Sequence, residues 1–146
     1  MNGQNPVAYK GNEPFIFISY AHKDSEIVLP VIRRLQNDGN RVWYDEGIAP
    51  GSQWDVYISE HLQGSASVLC FLSQAYLRSQ NCRDELALAR ANGKPMNMIY
   101  IDDVQLSAGL KMRYGRIQAL FMNKMQPDEL FEKLYRSEAI MLARRG

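Results

Sequence analysis

Few side chains in this sequence of 146 residues join reactive chemistry to a place in the chain where chemistry is done. Ser79, Asn81, Cys82 and Glu85 form a Ser-x-x-Cys-x-x-Glu stretch, in which a carboxylate follows capping residues at the opening of a helix. If Ser79 or Asn81 caps that helix, Glu85 falls in its first turn, where the helix dipole keeps it ionised. By itself the pattern reads equally well as a dipole-matched cap. Asp45 stands before a loop with two glycines and a proline, Glu46 to Ser52, and suits an Asx turn. Ser19 and Tyr20 close an apolar run, a place where a hydroxyl and backbone amides can meet phosphate oxygens. His22 and Lys23 add positive charge beside them, and Arg78 and Arg83 read as surface charge or as ligands for a diphosphate.

Other chemistries are excluded by what is missing. His22 and His61 lie far apart and neither is spaced with Cys70 or Cys82 as a zinc site requires, so no metal is expected. No G-x-G-x-x-G or G-x-x-x-x-G-K-[ST] turn occurs, nor a G-x-S-x-G elbow for a hydrolase triad. Seventeen basic against sixteen acidic residues give a net charge of +1, too little field to hold a nucleic acid. Apolar runs of membrane length, a signal peptide and Asn-x-Ser/Thr acceptors are absent, and two cysteines build no disulfide framework. A cytoplasmic protein that engages neither membrane nor nucleic acid is expected.

The elements that position these residues follow from periodicity. Phe15 to Ser19 and Ser67 to Leu72 are continuous apolar runs of strand length, the mark of strands covered on both faces of a parallel sheet. Arg41 to Tyr44, Met96 to Ile101 and a weaker Gln118 to Met122 read as further strands. Trp43 alternates with Val42 and Tyr44 and reads as core, and Met96 and Met98 as packing for the two faces of their strand. Between the strands lie helices. One is capped at Asp24 or Ser25, carries an apolar stripe from Ile27 to Leu35 and stops at Gly39; others span Trp54 to Gln63, Cys82 to Asn92 and Asp128 toward Arg144. Residues 1–13 are rich in Asn, Gly and Pro and are expected as a flexible leader, with one domain over 14–146. Alternating strands and helices imply a parallel sheet sandwiched by helices, with ligands bound beyond the carboxyl ends of the strands. The loops after Ser19, Tyr44, Leu72 and Ile101 are therefore where a site belongs.

Three stretches in order resemble the Toll/interleukin-1 receptor (TIR) domain family, in its bacterial form: Phe15-Ile16-Phe17-Ile18-Ser19-Tyr20; Val42-Trp43-Tyr44-Asp45 with Gly51 and Trp54; and Ser79-Gln80-Asn81-Cys82-Arg83-Asp84-Glu85-Leu86. The likeness covers about residues 14 to 143. It implies an α/β flavodoxin-like fold, a five-stranded parallel sheet with helices on both faces. The family holds modules that recruit other TIR domains and enzymes that cleave NAD+ at the nicotinamide–ribose bond.

For the enzymes the resemblance implies Glu85 as the catalytic residue and Ser19, Tyr20, Asp45, Trp54, Ser79, Asn81 and Cys82 as substrate-binding residues, Asp45 orienting the ribose. Many enzymatic relatives carry an aromatic residue three or four positions before the glutamate, where this chain has Asn81 and Cys82. The stacking surface for nicotinamide then falls to Trp54, nine residues after Asp45. NAD+ is the substrate, and no cofactor is implied. Cyclisation to a cyclic ADP-ribose isomer is a second outcome of the same bond cleavage. Relatives act after self-association, when the loop Glu46, Gly47, Ile48, Ala49, Pro50, Gly51 of one copy docks on a neighbour, so a homo-oligomer is implied. They serve bacterial antiphage defence or virulence, commonly fused to a sensor or oligomerising module, none of which is visible within these residues. The alternative is a TIR–TIR interaction module without catalysis that uses the same loop. A receiver-like phospho-acceptor using Asp102 or Asp103 lacks the acidic pocket such domains build after the first strand, where Ser19-Tyr20 stands here.

Overall fold

In the computed structural model, residues 5–47 and 53–144 are described. Five strands, β1 (Ile16–Ser19), β2 (Val42–Trp43), β3 (Ser67–Leu72), β4 (Met96–Tyr100) and β5 (Gln118–Phe121), form one parallel sheet in the order β2-β1-β3-β4-β5. Every residue of β1 and β3 is buried, as their unbroken apolar runs require of central strands. Their register pairs Ser19 with Cys70. β5 lies at the edge, and of its four residues only Leu120 is buried, which is why its periodicity is weak in the sequence.

The helices are α1 (Ser25–Asn37), α2 (Trp54–Gly64), α3 (Gln74–Arg78), α4 (Gln80–Ala91), α5 (Ala108–Tyr114), α6 (Pro127–Tyr135) and α7 (Glu138–Ala143). α1 buries Val28, Val31, Ile32 and Leu35, the expected stripe, and ends where Gly39 takes a φ of +93° that other residues resist. The Arg34 guanidinium of α1 lies over the Phe131 ring of α6, and α7 packs on β1 and β3; α2 and α4 pack together on the opposite face.

Two expectations are corrected. The helix read from Asp128 to Arg144 is two helices, because the Ser137 hydroxyl donates to Leu134 O and accepts from Asn97 Nδ2 in β4. That tie to the sheet holds Ser137 in extended backbone and breaks the helix. The leader expected over residues 1–13 is anchored where it is described. Tyr9 N donates to Val42 O, Ala8 N to Glu46 Oε2 and the Tyr44 hydroxyl to Pro6 O, with Ala8 buried. The segment thereby covers the free edge of β2, an exposure that parallel sheets avoid.

Candidate active site

The chain reverses direction across the sheet between β1 and β3, and there the carboxyl ends of the strands open onto a cavity of about 630 Å³. Its walls come from every loop singled out in the sequence. Tyr20 to Asp24 follow β1, Asp45 follows β2, Gln74, Ala75, Arg78 and Ser79 follow β3 and Asp102 follows β4, with Asn81, Cys82 and Glu85 contributed by α4.

Ser79 caps α4, its hydroxyl accepting from Cys82 N at 3.2 Å. The helix therefore begins at Gln80, and Glu85 is its sixth residue, in the second turn and not the first. The expectation that the dipole keeps Glu85 ionised is overturned as well. Burial raises its pKa from 4.5 to about 7, and the opposing pull of the Ser19 hydrogen bond and of the His22 charge is smaller. A helix end acts mainly over one turn, whereas desolvation penalises the anion wherever it is buried.

The remaining expected residues that are described have definite places. Ser19 is fully buried and donates its hydroxyl to Glu85 Oε1 at 2.6 Å, so that proton is not offered to a phosphate. The Tyr20 ring forms part of the cavity wall, stacked on His22 with centroids 5.2 Å apart, and its hydroxyl donates to Asp45 O. Asp45 plays the Asx role, Oδ1 accepting from Gly47 N at 3.0 Å, while Oδ2 lies 3.4 Å from His22 Nε2. That contact raises the His22 pKa above its ordinary value and so favours an imidazolium at the cavity mouth. Ser79 and Asn81 line the wall. Cys82 lines it too, its thiol pushed up to about 12 by burial, which makes it an inert surface. Arg83 is turned away, donating to Leu77 O and Gln80 Oε1, whereas Arg78 and Lys23 are exposed on the rim. Trp43 is core, stacked between Phe17 and His61. Of the loop residues, Glu46 accepts from Ala8 N and Gly47 turns with a φ of +104°. Ile48, Ala49, Pro50, Gly51 and the Trp54 side chain lie outside the described residues.

The sequence reading missed α3 and with it Tyr76, a fully buried residue whose hydroxyl sits 2.8 Å from Ser19 Oγ. The signal was present: Ser73 caps α3 by accepting from Tyr76 N, and a serine ahead of Gln-Ala-Tyr marks a helix start. Asp24, expected as a cap, instead accepts from the Ser73 hydroxyl and so ties the loop after β1 to the loop after β3.

A switch-point cavity with Glu85 held on its wall by a buried hydroxyl fits the family that the motifs suggested, and the family pattern of the TIR domain matches residues 16–135. The chain belongs to the TIR domain family. Among solved structures, the TIR domain resembles that of the Toll-related receptor TRR-2 from Hydra magnipapillata, with a TM-score of 0.65 at 15% identity over 83% of this chain and 98% of that one. It also resembles a CMP N-glycosidase, BcmB, from Clostridium botulinum, with a TM-score of 0.60 at 15% identity over 82% and 95% of the two chains. A 2-deoxyribosyltransferase from Bacillus psychrosaccharolyticus has a TM-score of 0.56 at 14% identity over 79% and 94%. At these identities the likeness is one of fold. No curated protein matches the chain. Among the described residues of this TIR domain, no cluster of His, Cys, Asp and Glu is placed to hold a metal ion, and no helix is long and apolar enough to cross a membrane.

Proposed function

We propose that this TIR domain is an NAD+ glycohydrolase with Glu85 as its catalytic residue. The observation that carries the reading is the Glu85 carboxylate, held by the buried Ser19 hydroxyl at 2.6 Å on the wall of a cavity whose rim bears Lys23, Arg78 and His22. Glycoside cleavage ordinarily needs an acid to protonate the leaving oxygen. In NAD+ the nicotinamide ring already carries the positive charge. The bond from its nitrogen to ribose C1 breaks with the electron pair going to nitrogen, and nicotinamide leaves neutral. One anion beside the sugar then stabilises the oxocarbenium ion and holds the ribose hydroxyls. Water captures the cation to give ADP-ribose and a proton; capture by an adenine nitrogen gives a cyclic isomer. In this reading Lys23 and Arg78 meet the diphosphate, Asp45, fixed by Gly47 and His22, faces the ribose, and Trp54 supplies the ring that stacks on nicotinamide.

Self-association through the loop from Glu46 to Gly51 belongs to the same proposal, with turnover per molecule rising with protein concentration. The role expected for such an enzyme is cytoplasmic, in bacterial defence or virulence, with no resident cofactor.

Nicotinamide release from NAD+ by concentrated protein is the test. Glu85→Gln is expected to lower it by about two to three orders of magnitude, the loss typical of removing one preorganised electrostatic group. Turnover unaffected by that change, in a protein that keeps its fold, rules out Glu85. No turnover at any concentration, crowding included, leaves the interaction module as the function.

A further inference from the structure

The hydroxyl at the end of β1 takes no part in the bond changes of that reaction. Ser19 Oγ donates to Glu85 Oε1 at 2.6 Å. A hydroxyl has one proton, so the 2.8 Å contact with Tyr76 must run the other way, Tyr76 Oη donating to Ser19 Oγ. Both donors are fully buried, and neither is among the residues that line the cavity, so neither can touch a substrate there. The chain thus brings β1, α3 and α4 together around two hydroxyls that run from the core to one carboxylate. We propose that Tyr76 and Ser19 are positioning residues, a relay of buried hydroxyls that aims Glu85 into the cavity and sets how readily it holds its charge. This rests on Glu85 being the reacting carboxylate.

The groups facing Glu85 leave the relay a large share of that task. From the turn after β1, His22 favours the anion; Asp45 after β2 and Asp84 on α4 oppose it. Burial keeps the hydroxyls of Tyr20 and Tyr76 and the thiols of Cys70 and Cys82 neutral, so none of them supplies charge. Among the described residues, the Ser19 hydrogen bond is the largest influence set against the desolvation of the carboxylate, ahead of the His22 charge. A hydrogen bond to an ionised acceptor shifts the acid constant by about tenfold or more. A second donor polarising the first adds a few tenths of a pH unit by cooperativity.

The experiment follows the Glu85 carboxyl carbon by NMR across pH in the full chain, its resonance assigned by its loss in Glu85→Gln, with kcat and KM for NAD+ measured in parallel. Ser19→Ala is expected to raise the midpoint by about one pH unit. Tyr76→Phe, which removes only an oxygen, is expected to raise it by about 0.2 to 0.5 unit with the fold kept. The double variant moves no further than Ser19→Ala, since Tyr76 acts through Ser19, and Ser19→Thr restores the wild-type midpoint. Where turnover is measured, kcat below the midpoint falls with it while KM stays within about twofold. An unmoved midpoint in Tyr76→Phe, or shifts that add in the double variant, overturns the relay; Tyr76→Phe and Ser19→Thr decide it even if Ser19→Ala does not fold. Midpoints that move without nicotinamide release from any variant uphold the relay and defeat the NAD+ reading. Release with unmoved midpoints does the reverse.

Discussion

Glu85 is held where its charge is costly. Its pKa is about 7 in the folded chain and 4.5 ordinarily, so between those values the native state keeps a proton that the unfolded chain releases. Stability from this group therefore declines as pH rises from 4.5 to about 7 and stays reduced above. Glu85→Gln removes the charge and keeps an acceptor for Ser19. It is expected to be more stable than the wild type near pH 8 by about 1 to 3 kcal/mol and nearly equal near pH 4, as read by urea denaturation. Activity should run the other way, rising with pH through a midpoint about 7 as the carboxylate ionises, which a pH profile of kcat/KM checks. Asp45 is the chief cause of the raised His22 pKa, so Asp45→Asn should lower the His22 midpoint in an NMR titration. An unchanged midpoint there disproves the pairing.

At the scale of elements, the site depends on where short helices start. Ser79 sets the first residue of α4 and hence the direction in which Glu85 points. Ser79→Ala should cost about 1 kcal/mol in chemical denaturation, the usual loss of a cap, with nicotinamide release reduced more mildly than by Glu85→Gln. Long elements were legible: β3 occupies the expected Ser67–Leu72, and the stripe on α1 buries the residues that its spacing selected, apart from Ile27, which is 43% exposed. α3 and α5, of five and seven residues, were not legible, because one or two turns are too few for a helical period to show. The break at Ser137 was hidden for another reason. It comes from a hydrogen bond to Asn97, forty positions away, which no local pattern contains.

For the whole molecule, the N-terminal segment matters as an edge cover. Removing residues 1–9 takes away the bonds to Val42, Glu46 and Tyr44 and the burial of Ala8. The truncated chain should lose about 2 to 4 kcal/mol in urea denaturation. The freed edge of β2 should also make it self-associate, which light scattering detects. A truncated chain with unchanged stability and scattering shows that the segment is dispensable.

Sequence alone determined the alternation of strands and helices, the end of the sheet that holds the cavity and six of the residues on its wall: Tyr20, Asp45, Ser79, Asn81, Cys82 and Glu85. Hydrophobic periodicity is a local quantity, and parallel strands with right-handed crossovers admit few topologies. The protonation of Glu85 and the pairing of Ser19 with Tyr76 were decided only by tertiary structure. Desolvation and the direction of a hydroxyl depend on what surrounds a side chain in space, and here those surroundings come from stretches 57 and 66 positions apart in the chain.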